Sequence, residues 1–530
     1  MPLVLNITFL GQLIIKKIKY MKNYKYIGLF LLSLSIVSCD DNSDFDPIPA
    51  EEVVEVALDI NGLDFSKYIS IGASFTAGYT DGAMFKAAQE NSFPNILAGK
   101  FGTEFNQPLM DDNIGGLVFN GTAVQPPRFF FNGAGPARLP AAPTTQLGVP
   151  ASGGPFHNFG APGAKSFHLG VPGYGQLNPY FGRMASSPTA TVMGDALAQN
   201  PTFFTLSEIG GNDVLGYALS GGSGVDRSPN VPENLNPANY GGNDITNPNV
   251  FASVFSGMVA ALTANGAKGV VANVPYITDL ANFTTVPHNP VPLDGATAGG
   301  VNAAFAAYNG GLQQILDLKN AGLLPAQVLP LLVNYDQAEV DRRQVNFVAG
   351  QNAVLMLDEN LSNLTPINPG LTNMRQATAD DLLLLASSSV IGTTVGGNPQ
   401  LINGVTVPLA DNWVLTPQEQ ASIMTATDAY NTTIAAVASS NPNIAFVDFK
   451  GVLTEASTGI MFDNYTMTTS LVTGGLVSLD GVHLTARGYA LMANKILAAM
   501  DAEFGSNFTL ATGGLAKAGD YPTNYSAALR

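Results

Sequence analysis

Short apolar runs recur along this chain, and several of them precede segments with helical periodicity. Residues 68–72, 202–207, 269–274 and 444–449 are apolar at nearly every position, which is typical of parallel strands buried on both faces. Because such strands alternate with helices, the pattern predicts an α/β fold with a mostly parallel sheet. In sheets of this kind, functional side chains gather at the carboxyl ends of the strands.

Three segments carry helix signals that support this alternation. Residues 249–266 are predicted to form a helix of about four turns that stops near Gly266. Thr416 is the predicted N-cap of a long helix, since Gln418 and Glu419 follow in its first turn. The segment "LTARGYALMANKILAAMDAEF" is predicted to be a helix with one apolar side, made by Leu491, Ile496, Leu497 and Met500.

Two stretches interrupt the alternation and are predicted to be insertions on a smaller core. Residues 101–150 are rich in Gly and Pro and contain the aromatic stretch "RFFFNG". Residues 281–415 combine a helix-like segment with long turn-rich stretches and are a candidate subdomain. The apolar residues 376–392 within it are a candidate lid. Trp413 and the aromatic stretch are candidates for a substrate groove, with packing inside the insertions as the alternative.

Composition narrows the class of protein. The chain has 530 residues, of which 46% are hydrophobic, so it can bury a large core. Its formal net charge is -17 and no basic patch is evident, which argues against a nucleic-acid partner. A total of 56 Gly and 34 Pro predicts many turns. The single cysteine excludes a disulfide framework and a thiolate metal site.

The N-terminal region predicts an exported lipoprotein. Two lysines precede a short apolar run at residues 27–37, which is too short for a comfortable membrane span, and Cys39 follows. "IVSC" resembles the lipobox of bacterial lipoproteins, in which the cysteine is lipidated. Residues 1–38 are therefore the expected signal peptide, with residues 1–20 as an upstream extension, and residues 39–64 an acidic tether. The expected location is the outer membrane or cell surface; the alternative is an ordinary signal peptide.

A candidate catalytic serine lies directly after the first predicted strand. In "YISIGASFTAGY", the Ser74 hydroxyl is expected at the carboxyl edge of the sheet, where its own N–H could help to hold an anion. Serine is a weak nucleophile and needs a base. Of the four histidines, His483 lies three residues after Asp480 and just ahead of a helix. Such a turn can aim the carboxylate at Nδ1 and fix the imidazole tautomer, which predicts a Ser74–His483–Asp480 triad.

Two further segments offer donors for an oxyanion. Asn212 lies in "GGND" after an apolar strand, and Gly160 lies in "NFGAPG", where a missing side chain permits close approach. Together with the Ser74 N–H they would make a three-donor oxyanion hole. A second "GGND" at residues 241–244 follows no apolar strand and is predicted to be a loop, with Asn243 uninvolved. The other histidines, His157, His168 and His288, lack carboxylates at metal-ligand spacing and are predicted to be structural.

Four segments, in chain order, resemble the four blocks of the SGNH (GDSL-type) hydrolase family: "GASFTAGY", "NFGAPG", "IGGND" and "DGVH". The resemblance implies a three-layer α/β/α fold with a flavodoxin-like sheet. It implies ester or lipid hydrolysis through a serine acyl-enzyme, with no metal or organic cofactor. It also implies that Ser74 is the nucleophile, that Asp480 and His483 complete the triad, and that Ser74, Gly160 and Asn212 bind the oxyanion.

The resemblance covers about residues 65–100, 150–280 and 416–500 of a predicted domain at 65–510, which a tail at 511–530 follows. The family usually has Asp before the nucleophile and Leu after it, whereas this chain has Ala73 and Phe75. That Asp mainly supports the turn, so activity is expected to survive.

The expected function is a cell-surface carboxylic ester hydrolase that acts on an acyl lipid or an acetylated glycan. The chain would reach the membrane through a lipid at Cys39. The alternative is a non-catalytic glycan-binding or adhesion lipoprotein on a hydrolase-like fold. Ala73 and the large insertions motivate that alternative.

Overall fold

A sheet of five parallel strands forms the centre of the computed structural model, which describes residues 55–530. Its strands are β1 (Tyr68–Gly72), β2 (Asn158–Gly160), β3 (Phe203–Leu206), β4 (Lys268–Ala272) and β5 (Ile444–Val447). The predicted signal peptide, Cys39 and most of the predicted acidic tether lie outside the described residues.

The strands lie in the order β5-β4-β3-β1-β2, and every neighbouring pair is parallel. This is the 2-1-3-4-5 order of one common doubly wound sheet. Strands β1, β2 and β3 are buried at every position, as expected of apolar runs that alternation does not interrupt. The prediction of an α/β fold with a mostly parallel sheet is therefore confirmed.

Twelve α-helices connect and flank these strands in the described part of the chain. They are α1 (Ser74–Ala77), α2 (Lys86–Glu90), α3 (Phe93–Phe101), α4 (Val192–Ala198), α5 (Asn212–Leu219), α6 (Pro248–Thr263), α7 (Ala281–Thr284), α8 (Gly295–Asn320), α9 (Gln337–Arg343), α10 (Pro417–Ser439), α11 (Phe449–Thr458) and α12 (Ala486–Phe504).

The sequence signals for helix starts are confirmed where a cap was predicted. Thr416 caps α10: its side chain accepts from the Glu419 N–H, and the Glu419 carboxylate accepts from the Thr416 N–H at 2.6 Å. This reciprocal pair satisfies two donors that a helix start leaves free. The predicted four-turn helix is α6, with 16 residues, and Gly266 follows its end.

Both predicted insertions contain two-stranded antiparallel sheets, and residues 281–415 also contain α7, α8 and α9. Residues 101–150 contain the pairs Leu117–Phe119 with Thr122–Gln125 and Phe129–Phe131 with Pro136–Arg138. Residues 281–415 contain the pairs Val291–Leu293 with Gly350–Asn352, Leu355–Leu357 with Met374–Gln376, Leu382–Leu383 with Val414–Leu415, and Thr394–Val395 with Asn398–Ile402. A last hairpin, Ile460–Phe462 with Tyr465–Met467, follows α11.

The second insertion has a hydrophobic core of its own. All buried members of this cluster fall between residues 291 and 414. The cluster is separate from the main core around the sheet. Trp413 packs against this cluster, which favours packing over a groove role for that side chain. Leu383, inside the candidate lid, is fully buried in the same cluster. The burial of Leu383 therefore gives no support to the hypothesis that residues 376–392 form a lid.

The folded domain extends beyond the predicted limits of 65 and 510. The Val56 N–H donates to the Thr512 hydroxyl at 3.0 Å, so residues 56–64 pack against the far end of the chain. Arg128 is fully buried and donates to three carbonyls among the last six residues. Within residues 55–530, no helix combines the length and apolar character needed to cross a membrane.

Candidate active site

Ser74 is the first residue of α1, a single helical turn that begins directly beyond β1. It is 8% exposed, and β1 lies between β2 and β3 in the sheet. The turn depends on Gly72, because a Cβ there would lie 2.8 Å from the Ser207 carbonyl oxygen and would also clash with Thr76 Oγ1. As the first helical residue, Ser74 has an N–H without an intrahelical partner. Its hydroxyl and its N–H thus both lie at the carboxyl end of a central strand.

Glu208 holds this turn, and sequence reasoning did not identify it. Its Oε1 accepts from the N–H groups of Ala73 at 2.6 Å and Thr76 at 2.9 Å. Its Oε2 accepts from Thr76 Oγ1 at 3.1 Å. Ala73 cannot supply the carboxylate that the SGNH family usually places before the nucleophile. Here a carboxylate from the end of β3 bonds to the same turn.

The environment of Glu208 is typical of a functional site. Burial raises the pKa of Glu208 to about 7, although the hydrogen bonds from Thr76 and Ala73 oppose this shift. Its backbone has a φ of 50°, in the left-handed region that non-glycine residues rarely adopt. The available signal was an acidic residue in "SEIGGND", directly beyond a buried strand.

Asp480 and His483 form a hydrogen-bonded pair in the turn before α12. His483 Nδ1 lies 2.8 Å from Asp480 Oδ2, and the two side chains are 14% and 11% exposed. Asp480 Oδ1 also accepts from the N–H groups of Val482 and His483, both at 2.9 Å. Gly481 has a φ of 75°, which this turn requires.

Asp480 remains ionised despite its burial. Burial opposes the charge of Asp480, but the electrostatic attraction of the His483 ring and the hydrogen bonds from His483 and Val482 outweigh this effect. The pKa of Asp480 therefore lies well below its ordinary value. A carboxylate in this state can hold the Nδ1 proton and stabilise an imidazolium.

The Asp480–His483 turn packs against the segment that follows Ser74. The Gly82 N–H donates to Asp480 Oδ2 at 2.7 Å. The rings of Tyr79 and Phe75 lie 4.5 and 5.6 Å from the His483 ring, measured between centroids. Among the described residues, the Ser74 hydroxyl and His483 form no hydrogen bond; such contacts often tighten only with substrate bound. The structure thus brings the three predicted triad residues to one region of the sheet edge.

Asn212 is the first residue of α5, which follows β3. Its Nδ2 donates to the Ala164 carbonyl at 2.9 Å, which leaves the second amide hydrogen for a ligand. The next residue, Asp213, is fully buried and accepts from the N–H and hydroxyl of Ser166 at 2.9 and 2.7 Å. The "GGND" segment therefore joins the start of α5 to the loop after β2.

The structure differs from expectation at Gly160. Its N–H already donates to Asn158 Oδ1 at 2.9 Å inside β2, so this N–H is not free for an oxyanion. Gly163 lies in the loop that follows, is exposed, and has a φ of 79°. Within residues 55–530 its N–H forms no backbone hydrogen bond, and its neighbour Ala164 accepts from Asn212. Gly163 is the better candidate for the third donor.

An apolar cavity adjoins these residues. Ser74, Asn212 and Glu208 line one part of it, together with residues from the ends of β4 and β5 and from α11 and α12. Its empty volume, including the open mouth, is about 940 Å³. None of the residues 376–392 lines it.

Three carboxylates elsewhere lie close enough to share a cation. Oxygens of Glu359, Asp411 and Glu419 lie within 4.8 Å of one another. Burial, together with the neighbouring carboxylates, raises the pKa of Asp411 to about 7 and of Glu419 to about 8. Glu419 also closes the cap of α10, and none of the three lines the cavity beside Ser74. This trio is therefore separate from the candidate active site.

The remaining candidates have local structural roles. His157 Nδ1 accepts from the Asn106 N–H at 3.0 Å, and His168 Nδ1 accepts from the Lys165 N–H at 3.1 Å. The second "GGND" lies in a loop, as predicted, and its Asp244 pairs with Arg227 at 2.8 Å.

No protein-family model, curated protein or solved structure matches the chain. Function is therefore inferred from the residues at the sheet edge and from their geometry.

Proposed function

We propose that this protein is a serine carboxylic ester hydrolase of the SGNH type. The observation that carries the proposal is the ionised Asp480 bonded to His483 and packed against the turn that presents Ser74. The strand order and the four motifs support a three-layer α/β/α sandwich with a flavodoxin-like sheet.

The proposed reaction proceeds through an acyl-enzyme. His483 Nε2 takes the Ser74 hydroxyl proton as Ser74 Oγ attacks the ester carbonyl, while Asp480 holds the Nδ1 proton. The negative oxygen of the tetrahedral intermediate accepts from the Ser74 N–H, the Asn212 amide and the Gly163 N–H. The alcohol leaves with the proton from His483. Water, activated by His483, then hydrolyses the acyl-enzyme to the free acid and restores Ser74.

The alternative of a non-catalytic binding protein loses its main support. It was motivated by Ala73, where the family usually has an acidic residue. Glu208 accepts three hydrogen bonds from the same turn, so the turn has a carboxylate acceptor even though that Asp is absent. We therefore keep the hydrolase as the proposed function.

The proposed cellular role is that of an exported lipoprotein, anchored to the outer membrane or cell surface through Cys39. The lipobox-like sequence before Cys39 supports this placement. In that location the site would act on esters of the cell envelope or of external polymers.

Covalent labelling tests the proposed chemistry. A fluorophosphonate is expected to phosphonylate one residue of the native protein, and peptide mass spectrometry should place the adduct on Ser74. Heat-unfolded protein is the control and should not react, because activation of the serine needs the folded site. Absence of an adduct on native protein, or an adduct on a different serine, would refute the proposal.

Asn212→Ala is expected to lower kcat for a p-nitrophenyl ester by about 10²- to 10³-fold, because the transition state loses one oxyanion donor. KM should change far less, since the oxyanion forms only after binding. The matched control is Asn243→Ala, which makes the same change in the exposed second "GGND" loop and should leave kcat unchanged. Equal kcat values for the two variants would remove Asn212 from the site.

A further inference from the structure

The cavity beside Ser74 crosses the carboxyl ends of four neighbouring strands. Ser74 follows β1, Asn212 follows β3, Val274 follows β4 and Phe449 follows β5, and all four residues line it. These strands are adjacent in the sheet. At roughly 4.8 Å between strands, the cavity spans about 14 Å from the catalytic serine to its far end.

The walls of the cavity beyond the catalytic residues are apolar. Val452 and Leu453 of α11 and Leu491 and Met492 of α12 form much of the remaining wall. Asn273 is a polar residue in this part, and its amide oxygen and one of its two amide hydrogens are already bonded. Its Nδ2 donates to Asp448 Oδ1 at 2.6 Å, and its Oδ1 accepts from the Lys450 N–H at 2.9 Å.

A ligand in this cavity therefore has to be apolar. Sugar hydroxyls placed there would lose their water and find at most one side-chain donor, the second amide hydrogen of Asn273, which is costly. An acetyl group would occupy only the part next to Ser74. A hydrocarbon chain, by contrast, gains free energy for each methylene that it buries along the walls.

We propose that this cavity binds the acyl chain of the substrate, which makes the protein selective for medium-chain fatty acyl esters. This inference rests on the proposed ester hydrolysis at Ser74. A carbon–carbon bond is about 1.5 Å long and advances a zigzag chain by slightly less, so a span of about 14 Å holds roughly ten carbons. The acyl chain enters with its carbonyl between Ser74 and Asn212, and its tail lies against α11 and α12.

Chain-length dependence of hydrolysis tests the inference. Each buried methylene is expected to raise kcat/KM about fourfold. The octanoate has six more methylenes than the acetate, so kcat/KM for the p-nitrophenyl esters should rise by about 10³- to 10⁴-fold between them. It should level off or fall for the palmitate, which is longer than the cavity. Acetylated xylan is the competing substrate and should release acetate far more slowly than the octanoate is cleaved.

A variant that fills the cavity sharpens the test. Val452 is half-buried and lines the cavity, so tryptophan in its place occupies space that the chain tail needs. Val452→Trp is expected to lower the laurate-to-acetate ratio of kcat/KM at least tenfold. The matched control is Val254→Trp on α6, also half-buried against the main core but outside the cavity. Its ratio should equal that of the wild type.

Some outcomes would overturn the inference while the hydrolase stands. These are a preference for the acetate ester or for acetylated xylan, or the same ratio in Val452→Trp and wild type. Direct binding separates the two proposals further: dodecanoate should displace a fluorescent fatty acid from the Ser74→Ala variant, and more weakly when Val452→Trp is added. Binding without any ester turnover would refute the hydrolase but support the cavity assignment. No binding of dodecanoate would overturn the cavity assignment.

Discussion

Replacing Ser74 with alanine is expected to lower kcat for p-nitrophenyl octanoate by about 10⁴-fold or more. Without the hydroxyl no acyl-enzyme forms, and His483 and Asp480 have no proton to move. A small residual rate above the uncatalysed reaction should remain, because the oxyanion donors and the acyl cavity are still present. Initial rates of the purified wild type and variant over a range of substrate concentrations measure this loss.

The Ser74→Ala substitution should lower kcat without a large loss of folding stability. The Ser74 hydroxyl forms no side-chain hydrogen bond within the described part of the chain, so its removal should shift the melting temperature by no more than a few degrees. The matched control is Ser66→Ala, an exposed serine shortly before β1, which should retain the wild-type rate. A Ser74→Ala protein that keeps a tenth of the wild-type kcat would show that a different group is the nucleophile.

Much of the sheet and its helices could be predicted, because the relevant forces are local in sequence. A strand buried on both faces must be a continuous apolar run, and β1 matches its predicted bounds at both ends. A helix start needs acceptors for its free N–H groups, so Thr416 with Glu419 marked the start of α10. The Asp480–His483 pair was also visible, since both residues lie in one short turn.

What could not be predicted depends on contacts between distant segments. Glu208 lies 132 to 135 positions from the N–H groups that it accepts from, and spacing along the chain does not reveal that contact. Gly160 was expected to offer its N–H, but the Asn158 side chain two residues earlier already accepts it. A motif indicates which residues are near the site, whereas the hydrogen bonds decide which donors remain free.

The structures of the insertions and of the cavity also could not be predicted from local sequence patterns. The sequence predicts that residues 281–415 differ from the core, but their antiparallel strands are only two to five residues long and have no clear alternating pattern. The cavity has walls from segments after β1, β3, β4 and β5 and from α11 and α12. Apolar residues in these segments are indistinguishable in sequence from residues that fill the core.

Glu208→Ala is expected to have the largest effect on stability among the changes considered. It leaves the N–H groups of Ala73 and Thr76 and the Thr76 hydroxyl without their acceptor, and these two residues are 2% and 0% exposed. Unpaired buried donors typically cost about 1–3 kcal/mol each, so unfolding should become easier by roughly 2–4 kcal/mol after partial access of water. Urea unfolding measures this change. The kcat should also fall, because Ser74 lies between the two freed N–H groups.

Glu208→Gln separates the hydrogen bonds of Glu208 from its charge. Glutamine keeps an oxygen for the two N–H groups, so this variant should retain most of the stability that Glu208→Ala loses. The pKa of Glu208 is raised from 4.5 to about 7 in the folded protein, so the folded state binds this proton more tightly than the unfolded state. Its contribution to stability is therefore complete below about pH 4.5 and is lost as the pH rises through about 7. The free energy of unfolding should fall less between pH 5 and pH 8 in Glu208→Gln than in the wild type, and an equal fall would show that Glu208 does not titrate in this turn.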